Sequence, residues 1–144
     1  MSLKNLALNI FSDGNGGYKR GQDNSKTCWE IFELLYGRPI KKTYGDRTRH
    51  SSMINGLRGA SKVLKKKGEL LGSYKPDPKS DLVWLLAETG AEMDRIYERK
   101  NRHAKRVNKE MKEIGQVAKT RWIESEDKSE KIALLKIIEN VFNV

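Results

Sequence analysis

Cysteine is nearly absent from this chain. Of 144 residues only Cys28 carries a thiol, so no intramolecular disulfide can form and a reducing compartment is the natural expectation. With one Cys and two His, ligands for a Cys/His zinc site are lacking, and no cofactor or metal is expected. Proline occurs three times, at 39, 76 and 78, so nothing interrupts a helix beyond residue 78. No apolar run approaches the roughly 18 residues of a membrane-spanning helix. The segment 1–11 has too short an apolar stretch to read as a secretory signal. The expected location is cytoplasmic. Length suggests one domain with a small appendage.

Positive charge is what the chain has in excess. Lys and Arg number 29 against 19 Asp and Glu, a net charge of +10. The excess is local. From Arg38 to Lys67 there are ten basic residues and a single acid, Asp46, whereas residues 121–144 are close to neutral. A localised cationic stretch points to a polyanionic partner, and nucleic acid is the commonest.

Periodicity and turn chemistry organise the rest. Leu3, Leu6, Leu8, Ile10 and Phe11 suggest a short element that packs on the domain. Residues 12–25, with Gly14, Gly16, Gly17 and Gly21, read as a flexible loop. Thr27-Cys28-Trp29-Glu30 is a capping box. Cys28, Ile31, Phe32 and Leu35 follow on one helical face, and Gly37 stops the helix near 36. Pro39 suits the start of a second, short helix that Gly45 would end. A third helix is expected from Ser51 or Ser52 to Gly68. It has Met53, Leu57, Ala60 and Leu64 on its core face and Asn55, Arg58, Lys62, Lys65 and Lys66 on the other. Gly56 and Gly59 within it would permit close approach of another backbone. Two apolar runs, 69–74 and 81–86, flank Lys75-Pro76-Asp77-Pro78-Lys79 and predict a β-hairpin with a basic tip. A second capping box, Thr89-Gly90-Ala91-Glu92, opens a long amphipathic helix over 90–119. Ser125 suits the start of a last helix over 125–143 with Ile132, Leu135, Ile138 and Phe142 on its apolar face.

The fold class that follows is mainly α with a small β-hairpin. Three segments are expected: an N-terminal segment and Gly-rich loop (1–24), a core (25–87), and a C-terminal helical region (88–144) that packs back or dimerises. Three helices followed by a hairpin with a basic tip resemble the winged helix-turn-helix family. The residues that carry the resemblance are the helix from Trp29 to Leu35, the short helix after Pro39, the basic helix 52–67 and the hairpin 69–86. The resemblance implies that the basic helix enters the major groove of double-stranded DNA while the hairpin tip lies along phosphates.

The residue chemistry fits such a role. Arg58 matches guanine O6/N7 and Asn55 matches adenine N6/N7. Lys62, Lys65, Lys66, Lys75 and Lys79 suit phosphates, and Arg47 and Arg49, which precede the helix, suit the DNA backbone at its N-terminus. Gly37-Arg38-Pro39 also matches the core of an AT-hook, although helix punctuation explains the same residues. Trp29, Tyr74 and Trp84 sit beside aliphatic residues and read as core before they read as base-stacking groups. No catalytic constellation stands out, so the expectation is a non-enzymatic DNA-binding protein, a regulator of transcription or an organiser of DNA. The alternatives are a protein-interaction module working through the long C-terminal helix, and an RNA-binding protein. A homodimer through residues 90–143 is a further expectation.

Overall fold

The computed structural model describes residues 2–142. Among them are five α-helices and a three-stranded antiparallel sheet, so the chain is mainly α with a small hairpin, as the periodicity predicts. The elements are α1 (Leu3–Ile10), β1 (Lys26–Thr27), α2 (Cys28–Tyr36), α3 (Tyr44–Lys65), β2 (Leu71–Tyr74), β3 (Val83–Leu86), α4 (Gly90–Glu124) and α5 (Lys128–Phe142). The chain divides into two compact units, Met1–Arg99 and Lys100–Val144.

In the first unit the core face of α3 lies where the 3.6-residue period puts it. Met53, Leu57, Ala60 and Leu64 are all buried, packed with Phe11, Ile31, Phe32 and Leu71. The sheet runs β1-β3-β2, with Leu71 opposite Leu86 and Tyr74 opposite Val83. Strand β3 alternates between two apolar clusters. Trp84 and Leu86 face α3 and the N-terminal helices, while Val83, Leu85 and Ala87 meet Tyr74 and Ile96 on the far side. Gly72 makes the second contact possible, because a Cβ there would lie 2.4 Å from Ile96 Cγ2.

Local chemistry sets the helix ends. Both halves of the Thr27–Glu30 capping box are formed, and Gly37 ends α2 at φ 74°. At the start of α4, the Thr89 N–H donates to Glu92 and the Glu92 N–H donates to Thr89 Oγ1. Helix α5 starts at Lys128 rather than at Ser125. The carboxylate that accepts the Ser129 N–H, at 3.0 Å, is that of Asp127. The expected end of this helix at 143 lies outside the described residues.

Four expectations need correction. No helix forms after Pro39, and the basic helix does not wait for Ser51. Instead α3 begins at Tyr44, because the Thr43 hydroxyl accepts the Asp46 N–H and satisfies the first turn. Gly45 therefore lies inside a helix. The first of the three helices before the hairpin is α1, capped by Ser2. The Gly-rich loop 12–25 is held by specific bonds: Asp13 accepts the Asn15 and Gly17 N–H groups, and Gly21 donates to Leu86 O at 2.8 Å. Those two donors hold the Asp13 carboxyl below the usual carboxylate range.

Helix α1 packs across α3 at the two glycines. A Cβ on Gly56 would sit 2.9 Å from Leu3 Cβ and 3.1 Å from the Leu3 backbone carbon; one on Gly59 would meet only Lys4 methylenes at 3.3 Å. Ala is favoured over Gly by about 1 kcal/mol in a helix interior. At 59 that gain should survive, since a lysine stem can move. At 56 it should be outweighed by displacement of α1, at about 1–3 kcal/mol for overpacking. Urea unfolding should therefore show Gly59→Ala neutral or stabilised and Gly56→Ala destabilised. Equal effects would contradict the close approach at Leu3.

Candidate nucleic-acid interface

The outer face of α3 is built by the same period that buries its core face. Tyr44, Arg47, Ser51, Asn55, Arg58, Lys62 and Lys65 recur at spacings of three and four residues, and every one is exposed. They form one stripe along 22 residues of helix, about 33 Å at 1.5 Å per residue. No acid interrupts it. Lys66 follows at the C-cap, and Gly68, at φ 80°, turns the chain toward β2.

The only acid of the stretch 38–67 is inside. The Asp46 side chain is 1% exposed. Arg38 grips it with two hydrogen bonds, of 2.8 and 2.7 Å. The Lys41 N–H donates at 2.7 Å and Arg49 Nη1 at 3.0 Å. The Arg38 guanidinium, the Lys41 N–H and Arg49 together hold the carboxyl far below the usual carboxylate range. Tyr36 adds a tie from α2, donating its hydroxyl to Arg49 O at 3.0 Å.

This cluster reassigns two residues. Arg49, expected at the interface, turns to Asp46 and is not part of the stripe. Arg38, the arginine of the AT-hook match, is likewise engaged by Asp46. Arg47, Asn55, Arg58, Lys62 and Lys65 come together as expected, with Lys66 at their end. Lys75 and Lys79 are exposed on a separate element, the β2–β3 connection.

That connection is braced from below. Arg95 Nη2 donates to Lys75 O at 2.7 Å and to Pro76 O at 2.6 Å, with its guanidinium 4.3 Å from the centre of the Tyr74 ring. Asp77 accepts the Ser80 hydroxyl and the Lys79 N–H, which lower its carboxyl pKa. The two lysines thus project from a loop whose backbone carbonyls are already held.

The aromatic residues divide differently from expectation. Tyr74 and Trp84 are core residues, as their aliphatic neighbours suggest. Trp29 is 53% exposed. It lines an open depression of about 350 Å³ with Ile40, Lys41, Arg47, His50 and Ser51, beside the N-terminal end of the α3 stripe. Cys28 is half-buried, and burial pushes its thiol pKa up, away from the nucleophilic thiolate. No family model, curated protein or solved structure matches this chain.

The buried carboxylate makes stability depend on pH with a definite sign. A depressed folded-state pKa contributes stability that is present above the unfolded value, about 3.9, and is lost as pH falls below it. Urea midpoints should therefore drop between pH 7 and pH 3. Asp46→Asn should lower the midpoint at pH 7 and narrow that difference, without abolishing it, since Asp13, Glu69 and Asp77 are also held low. An Asp46→Asn protein with an unaltered midpoint at pH 7 would mean that the cluster does not hold α3.

Proposed function

We propose that this chain binds double-stranded DNA in the winged helix-turn-helix manner, with the outer face of α3 in the major groove and the β2–β3 connection on an adjacent phosphate backbone. The observation that carries the reading is the acid-free stripe on α3. Around that helix the chain has ten basic residues to one acid, and the acid is buried and doubly paired. A solvated surface kept only for solubility would mix its signs. The order of three helices and then a hairpin, α1-β1-α2-α3-β2-β3, supports the same reading.

Roles follow from side-chain chemistry. Arg58 and Asn55, near the middle of the stripe, are the candidates for base edges. Arg47, Lys62, Lys65 and Lys66 suit phosphates along the groove, and Lys75 and Lys79 suit phosphates beside it. The role is non-enzymatic, in transcription regulation or DNA organisation, and the implied location is cytoplasmic. No helix among the described residues is long and apolar enough to cross a membrane.

A second reading has its own observation. Helices α4 and α5 leave large apolar side chains in solvent, which favours a protein-interaction module. An RNA-binding reading loses the two aromatic residues it would use, since Tyr74 and Trp84 are buried.

A salt titration separates these readings. Duplex binding by the stripe should fall steeply with salt, at a slope of about −0.9 per phosphate contacted. Replacing Arg58, Lys62 and Lys65 by Ala together should weaken binding by orders of magnitude, and loss of the two phosphate-binding lysines should flatten the slope by about 1.8. Undetectable affinity for duplex at low salt, with the wild-type chain, would hand the case to the interaction module.

A further inference from the structure

The second unit cannot bury its own apolar surface. Among its described residues, Ala118 is the only apolar side chain that is fully buried. Helix α5 returns along α4, with Phe142 and Val141 beside Gly115, Lys119 3.9 Å from the centre of the Phe142 ring and Lys131 4.8 Å from that of Trp122. This contact uses one side of α4. A neighbouring side stays in water.

That free side has an ordered sequence. Arg106, Glu110, Ile114, Val117, Arg121 and Glu124 recur at spacings of three and four and so share one stripe. Ile114 is 57% and Val117 55% exposed. Among the described residues none of the four charged groups takes part in an ion pair, although intrahelical pairing was open to Arg106 and Glu110 at i, i+4 and to Arg121 and Glu124 at i, i+3. Read forward, the stripe is plus, minus, apolar, apolar, plus, minus. Read backward, it is the charge complement of itself.

A two-fold axis between Ile114 and Val117 would exploit this. Two copies of α4 running antiparallel would set Ile114 against Val117 of the second copy, Glu110 against Arg121, and Arg106 against Glu124. By symmetry each contact occurs twice. A foreign partner would have to supply the inverse pattern, whereas a second copy already has it.

We propose that the chain is a homodimer whose α4 helices pair antiparallel about Ile114 and Val117, with Glu110–Arg121 and Arg106–Glu124 pairs setting orientation and register. The inference is independent of DNA binding, since it is read without nucleic acid; failure of one leaves the other standing.

The test is charge exchange in the full-length chain, read by sedimentation equilibrium, with circular dichroism to check that each variant is helical. Wild type should be dimeric at micromolar concentration. Glu110→Arg alone or Arg121→Glu alone places like charges across the axis and should weaken the dimer tenfold or more. Mixing the two single variants should form a heterodimer, because each then supplies what the other lacks. The double variant Glu110→Arg/Arg121→Glu should regain wild-type association. A monomeric wild type at about 100 μM, or singly exchanged chains that neither weaken alone nor recover when combined, would overturn the proposal. A dimer that tolerates both exchanges would do so as well, by placing the interface elsewhere.

Discussion

A single buried carboxylate decides how the first unit presents itself. Asp46 lies in the first turn of α3, and its partners come from the preceding connection and from the next turn of the same helix. Removing one partner of a buried pair is strongly unfavourable, because a charge is left without compensation in low dielectric. Arg38, the Lys41 backbone and Arg49 are therefore held together around Asp46. The connection between α2 and α3 has no secondary structure of its own, and this cluster is what ties it down. The same arrangement hides the only negative charge in a run of thirty residues. One interaction thus ties down the start of the helix while its outer face carries basic and neutral residues without an acid.

Much of this was legible from residue order, and the reasons are local. The core stripe Met53, Leu57, Ala60 and Leu64 follows from period and burial alone. Capping boxes at Thr27 and Thr89 mark helix starts because their hydrogen bonds close within four residues. The hairpin is announced by two apolar runs around Pro76-Asp77-Pro78. The start of α3 was hidden because Gly45 and Pro39 are strong punctuation in a one-dimensional reading. Thr43 and Asp46, three residues apart, were the available signal, and the first-turn hydrogen bond they make overrides the glycine. Burial of Asp46 was not legible, since its main partner Arg38 stands eight residues away at no helical spacing. Exposure of Trp29 was equally hidden, because an indole beside aliphatic neighbours looks like core until neighbouring elements are placed.

The two units differ in surface chemistry, in a way the charge distribution foreshadows. Residues 38–67 hold nearly all the net charge, and Arg47, Arg58, Lys62 and Lys65 of that stretch share one helix face. Residues 121–144 are near neutral in sequence, and Ile123, Ile132 and Leu135 among them are exposed. Fold alone does not settle which partner each surface meets. What the geometry does fix is that the two surfaces are chemically distinct: one is cationic and polar, the other apolar with alternating signs.

The small sheet has one more implication. Edge strands are where a β-protein is vulnerable, since unpaired backbone groups template the addition of foreign chains. Here β1 is two residues long and β2 is four, all four of them buried, with a Ser61 hydroxyl donating to Leu71 O and Ile96 seated over Gly72. So little ladder is open that strand exchange and fibre growth have almost no foothold. The sheet thus serves as a covered strut between the helices and offers little template for strand addition.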